Sequence, residues 1–102
     1  MVVTINNFGD ILMSRPAGRE AFLVAKAYVF REIKENDDII LDFDGIKVLA
    51  PSWADEFISG IKSEYSNNVQ CINTENPSVK ASLKAVLDEP ILLKSDFRVD
   101  RH

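Results

Sequence analysis

The chain has 102 residues and a formal net charge of −4, which is length enough for one domain whose core needs no metal or disulfide staple. With 46% apolar and 27% charged residues it has the composition of a globular domain, not of a disordered or fibrous chain. Lys and Arg are scattered one or two at a time, so no basic stripe is present to neutralise phosphates, which argues against a nucleic-acid partner. No apolar run approaches the ~20 residues of a membrane-spanning helix. The single Cys71 cannot form an internal disulfide, which predicts a reducing, cytoplasmic setting. Met1-Val2-Val3-Thr4 runs directly into a strand pattern and does not read as a secretory leader.

Val2-Val3-Thr4-Ile5 is β-branched and predicts a first strand. Asn6-Asn7-Phe8-Gly9-Asp10 is dense in turn formers, and Ile11-Leu12-Met13 predicts a second short strand pairing back. Ser14 is placed to cap a helix, with Pro16 tolerated in the first turn because its missing N–H would have no partner there. Gly18 weakens this start by up to ~1 kcal/mol relative to Ala. Ala21, Val24, Ala25, Tyr28 and Val29 fall on one face of the helix, which ends near Asn36-Asp37-Asp38.

The centre of the chain follows. Ile39-Ile40-Leu41 is an apolar run broken only at Asp42, as in a strand covered on both faces. From Trp53 the period changes, and Trp53, Ala54, Phe57, Ile58, Ile61 and Tyr65 form one helical stripe. Ser52 stands just before the stripe with Asp55 three residues on, a capping-box-like start. Ser66-Asn67-Asn68 closes this helix, and Val69-Gln70-Cys71-Ile72 reads as a further strand. Asn76-Pro77 opens a third helix, cap first and proline at the first helical position. Its Val79, Leu83, Val86 and Leu87 recur with helical spacing, and Asp88-Glu89-Pro90 stops it. Ile91-Leu92-Leu93 reads as a last strand or an apolar tail on the sheet, and residues 95–102 as a polar, frayed tail. Residues 1–94 therefore read as one α/β domain, a central mixed sheet with helices packed on it.

Two places carry candidate chemistry. A hydrophobic strand followed by Asp42-Phe43-Asp44-Gly45 resembles the opening motif of haloacid-dehalogenase-type phosphatases. In those enzymes the first Asp is a nucleophile, the second a general acid, and both help to hold Mg²⁺. Carboxylates at a strand end suit that chemistry. Little more than half the chain follows the motif, however, and the remaining residues of that catalytic domain have no place. The alternative is a pair of turn acids, with Gly45 supplying an unusual backbone angle. The second place is Pro51-Ser52-Trp53-Ala54-Asp55-Glu56-Phe57, where a hydroxyl at a helix N-terminus meets N–H groups able to bind an anion. It is equally an ordinary cap with Asp55 and Glu56 in a first turn favoured by the helix dipole. Trp53 reads either as a core anchor or as part of a docking patch. Arg15 and Arg19 flank a helix start, and Cys71 reads as a buried small hydrophobe.

The combination Phe8-Gly9, Leu12, Ser14-Arg15, then Ile40-Leu41-Asp42-Phe43, Gly45-Ile46, then Ser52-Trp53-Ala54-Asp55-Glu56-Phe57 resembles the STAS-like domain family of unknown function, over roughly residues 2–87. That family is related to the STAS domains of anti-sigma factor antagonists and sulfate transporters. The resemblance implies a STAS-like α/β fold, a four- to five-stranded mixed sheet with about three helices. It also implies a non-enzymatic regulatory module of bacterial signalling, with no cofactor and no bound metal. Its partner would be a protein, an ATP-binding histidine-kinase-like switch protein, with a homodimer left open. In anti-sigma factor antagonists a kinase phosphorylates a serine at the turn opening the second helix, and that serine falls on Ser52. Ala50, Pro51 and Trp53 depart from the Asp, Ser and Gly usual around it. The implied contact surface comprises Asp44, Gly45, Ser52, Trp53, Asp55 and Glu56. The alternative is a small Mg²⁺-dependent phosphatase-like enzyme using Asp42 and Asp44, or a structural or ligand-binding domain of the same fold.

Overall fold

A computed structural model of the chain describes residues 1–87 and 97–99. In chain order, strand β1 (Val2–Thr4) leads through a 3-10 turn (Ile5–Phe8) to β2 (Ile11–Leu12) and helix α1 (Arg15–Val24), which runs on as a π-helical turn (Ala25–Val29). Then come β3 (Ile39–Asp42), β4 (Val48–Leu49), α2 (Pro51–Glu64), β5 (Val69–Ile72), α3 (Pro77–Leu87) and β6 (Phe97–Val99).

The sheet order is β1-β3-β5-β6. β1, β3 and β5 run parallel, with Val3 beside Leu41 and Leu41 beside Cys71. The order advances in one direction, so right-handed crossovers carry α1 and α2 to the same face, and these two helices pack on each other. Val3, Ile39, Leu41, Val69 and Cys71 are buried, whereas Val2, Ile40 and Gln70 alternate with them and are half-buried or exposed. β3 is thus fully covered on one face, not on both as its apolar run suggested.

The body of the sheet is three parallel strands, not the four to five expected. β2 stands apart and pairs in parallel with β4, Leu12 beside Leu49, as a separate two-stranded ribbon. Two residues per strand leave that ribbon to be held by its neighbours. Phe97–Val99, read from sequence as part of a polar tail, instead pairs antiparallel with β5. The expected helix stop at Asp88-Glu89-Pro90 and the run Ile91-Leu92-Leu93 lie outside the described residues.

The helix starts follow their local chemistry, with one exception treated below. Ser14 caps α1, its Oγ accepting from the Ala17 N–H at 3.2 Å. Asn76 caps α3, its Oδ1 accepting from the N–H of Ser78 at 2.8 Å and of Val79 at 3.3 Å. The buried face of α1 is Gly18, Ala21 and Phe22, then Ala25. Val24 and Tyr28 were expected on that face and are instead 44% and 76% exposed. The π turn explains part of the shift: the Phe30 N–H donates to the Ala25 carbonyl at 2.8 Å, five residues back, and brings Phe30 into the core in place of Tyr28. On α2 the expected stripe is observed, with Trp53, Ala54, Phe57, Ile58 and Ile61 buried and Tyr65 packed at its end. Before β3, the buried Asn67 amide donates to the carbonyls of Lys34 at 2.7 Å and Asp37 at 2.8 Å, tying down the turn that feeds the strand.

α1 and α2 approach closely where one offers glycine. A Cβ on Gly18 would lie 2.5 Å from the Trp53 carbonyl oxygen, and one on Gly60 would lie 2.7 Å from the Phe22 ring. Gly18 therefore serves contact, not flexibility.

Leu41 and Phe57 are both fully buried, on the facing surfaces of sheet and helix. Leu41→Ala or Phe57→Ala is expected to cost ~2–5 kcal/mol in urea unfolding. A loss below ~0.5 kcal/mol, the size of a surface change, would contradict this packing.

Candidate interaction site

The carboxyl end of β3 leads into a loop whose geometry is fixed from several sides. Asp42 Oδ1 accepts from the Asp44 N–H at 2.9 Å and from the Asn73 amide at 2.8 Å. The first bond is an Asx turn that starts the loop. The second links the ends of β3 and β5, with Asn73 held at φ 55. Gly45 has φ 79, as its place in the turn suggested, and a Cβ there would meet the Asn6 amide nitrogen at 2.8 Å. Phe43 and Ile46 are buried, while Asp44 is exposed.

The far half of the loop is clamped by α3. The Asn76 amide donates to the carbonyls of Ile46 at 3.1 Å and Lys47 at 3.2 Å. Ser78 Oγ accepts from the Leu49 N–H at 3.1 Å, and the Ser82 hydroxyl donates to the Leu49 carbonyl. β4 is therefore held in place by side chains of the third helix as well as by β2. Asn76 was read only as a cap. Its amide faces the loop while its carbonyl oxygen caps, a double use that no local pattern reveals.

α2 starts two residues before the sequence pattern suggested. Ala50 occupies the cap position without a side-chain bond, Pro51 is the first helical residue, and Ser52 lies inside the first turn. Ser52 is thus not the N-cap, and no capping box with Asp55 forms. The Ser52 hydroxyl instead donates to the Met13 carbonyl at 3.0 Å, joining α2 to the end of the β2 segment. Asp55 and Glu56 fall beyond the first turn, where the dipole has faded. Their charge is met by Arg15, whose Nη1 lies 2.8 Å from Asp55 Oδ2 and 3.4 Å from Glu56 Oε1. Asp55 Oδ1 also accepts from the Ser59 hydroxyl at 3.1 Å. The guanidinium holds the Asp55 carboxyl below its ordinary value, with Ser59 adding to the effect, and the Arg15 group is raised in return. Arg15 and Asp55 are 53% and 44% exposed, so solvent screens the pair.

Trp53 resolves as a core anchor. It is 2% exposed, stacks on Phe57 with ring centroids 5.0 Å apart, and leaves the expected docking surface. The other residues of that surface divide in two. Asp44 and Gly45 lie at the loop, and Ser52, Asp55 and Glu56 lie at the start of α2. Arg15, Pro51, Ser52 and Asp55 line an open groove of about 560 Å³ whose other wall is Ala85 and Val86 of α3. Cys71 is fully buried, and burial pushes its thiol up to about 12, so it stays a neutral hydrophobe. Among the described residues, no group of three His, Cys, Asp or Glu side chains comes together in a way suited to a metal ion. Nor is any described helix long and apolar enough to cross a membrane.

A three-stranded parallel sheet with α1 and α2 on one face, and a loop and helix start gathered at the strand ends, places the protein among mixed α/β domains consistent with a STAS-like fold. A family model described as the STAS-like domain of unknown function (DUF4325) matches residues 25–79, and the chain belongs to that family. The match runs from the end of the first helical segment to the start of α3, and so contains the loop and all of α2. Neither the curated proteins nor the solved structures yield a match to the chain.

In Arg15→Ala, the Asp55 carboxyl should titrate at higher pH than in the wild type, because the largest influence lowering it is gone. The sign follows from linkage. A depressed carboxyl contributes stability above its unfolded-state pKa and loses that contribution as pH falls through its folded-state pKa. The variant should therefore lose less stability on acidification. NMR titration of the Asp55 side chain checks this, and an unchanged midpoint would contradict the pairing.

Proposed function

We propose that this protein is a non-enzymatic regulatory module that binds another protein through the exposed part of the loop 44–51 and the start of α2. The relation of its family to anti-sigma factor antagonists supports an ATP-binding histidine-kinase-like switch protein as the partner. The observation that carries the reading is the position of Ser52: partly exposed in the first turn of α2, beside Arg15 and Asp55 on a groove backed by α3. Rigid backbone on both sides presents a polar, charged surface with little ordering cost on binding. Asp42, by contrast, commits one carboxylate oxygen to the Asp44 N–H and the Asn73 amide. That structural duty favours the binding module over the phosphatase-like alternative, whose nucleophile would be this side chain.

Phosphorylation of Ser52 is the control this surface suits. Modification removes the hydroxyl proton that bonds the Met13 carbonyl and adds a charge of about −2. The helix dipole favours that charge by ~0.3–1 kcal/mol, and Arg15 faces the same groove, while Asp55 and Glu56 oppose it. Within the domain these effects offset one another. Across an interface the charge would expel an acidic or apolar partner surface.

Ser52→Asp is expected to shift stability by no more than about 1 kcal/mol, the size of one neutral hydrogen bond, while weakening partner capture in affinity pull-downs from the native host. Undiminished capture by Ser52→Asp would contradict the proposal. Magnesium-dependent turnover of phosphate esters that vanishes in a folded Asp42→Asn variant would favour the enzyme reading instead.

A further inference from the structure

A second groove, about 270 Å³, shares no lining residue with the one at Ser52. It lies between β2 and α1. Its floor is aromatic, formed by the buried Trp53 with the half-buried Phe8 beside it. Its rims are apolar and open: Ile11 is 58%, Met13 54% and Val24 44% exposed. Large side chains left this exposed around a preformed concavity mark a contact surface more often than chance scatter does.

The β2 backbone adds a direction to this surface. The carbonyls of Asp10 and Leu12 turn toward β4, accepting from the N–H groups of Val48 and Ala50. In a parallel ladder, Ile11 between them must therefore turn its own N–H and C=O to the opposite edge. That edge pairs with no other strand among the described residues. An unpaired edge beside an apolar groove and a helix is the arrangement used to capture an extended peptide as an added strand.

Charge narrows the occupant. Glu20 is the one ionisable side chain lining the groove, and it forms no salt bridge among the described residues. We propose that this groove receives an extended segment of a partner protein, which adds as a strand to the outer edge of β2. An apolar side chain of that segment fills the groove over Trp53, and a Lys or Arg near it meets Glu20. A second copy of this chain suits the groove less well, because the net charge of −4 on each copy opposes close approach. The site is independent of the reading at Ser52, and either can fail without the other.

The test uses the full chain as bait for a display library of random short peptides. Enriched peptides should alternate apolar residues and carry Lys or Arg, and their binding should shift the backbone amide NMR signals of Ile11, Met13 and Val24. Methylating alternate peptide amides should abolish binding, since a strand needs those donors. Glu20→Lys should weaken the basic peptides about tenfold or more, the scale of one rim charge pair lost and reversed. Val24→Asp should do the same by spoiling the rim. Both positions are exposed, and Glu20→Lys serves alone if Val24→Asp unfolds. Four results would overturn the proposal: no enriched peptides, binding indifferent to Glu20→Lys, shifts confined to other surfaces, or sedimentation showing a dimer that Val24→Asp dissolves.

Discussion

The contact between Gly18 of α1 and the backbone of Trp53 in α2 is the constraint on which the arrangement around the start of α2 depends. Any larger residue at position 18 would push α1 off the Trp53 carbonyl. Because the helices touch there, residues one turn or so away on each also meet. Arg15 reaches Asp55 and Glu56, the Met13 carbonyl receives the Ser52 hydroxyl, and Trp53 sinks beneath the groove that β2 and α1 flank. The topology makes this contact necessary. Crossovers that advance in one direction set both helices on one face of the sheet, and close approach there buries apolar area that three short strands alone would not.

The other half of the surface is held by polar bonds. Asp42 starts the loop and ties β3 to Asn73 beyond β5, while Asn76, Ser78 and Ser82 fasten the loop and β4 to α3. Ser78 and Ser82 serve the backbone groups of Leu49 that the two-residue β4 leaves open, and Asn76 serves the loop carbonyls before it. The outcome is a surface whose frame is fixed, with Asp44 exposed and Ser52 and Asp55 half-buried and already bonded to Met13 and Arg15. Charge there is balanced locally, Arg15 pairing with both Asp55 and Glu56.

Much of this was legible in the residues. The α2 stripe, the Ser14 and Asn76 caps, the positive φ at Gly45 and the buried Cys71 all follow from local patterns of period and conformation. What was not legible depends on contacts distant in sequence. The register of α2 slipped because Ser52 carries the signature of a cap, whereas Pro51 is better suited to the first helical position and the hydroxyl has a tertiary partner in Met13. Tyr28 moved outward because a π turn changes the helical period, which a fixed 3.6-residue reading cannot register; Val24 precedes that turn and lies off the face of Gly18, Ala21, Phe22 and Ala25. Gly18 looked like a helix weakness because its reason lies on another helix. The parallel body of the sheet was overestimated because β2 and β4 look like ordinary strands and pair only with each other; the antiparallel Phe97–Val99 was missed because it hides within a charged segment.

The account turns on α1 being seated on α2 at Gly18, and Gly18→Ala tests it most directly through stability measured together with the Asp55 titration. Helix propensity alone would make this change stabilising by up to ~1 kcal/mol. Seated against the Trp53 carbonyl, the added methyl should instead destabilise the protein and raise the Asp55 midpoint as Arg15 loses its reach. A Gly18→Ala protein as stable as the wild type or more so, with Asp55 titrating unchanged, would contradict the account.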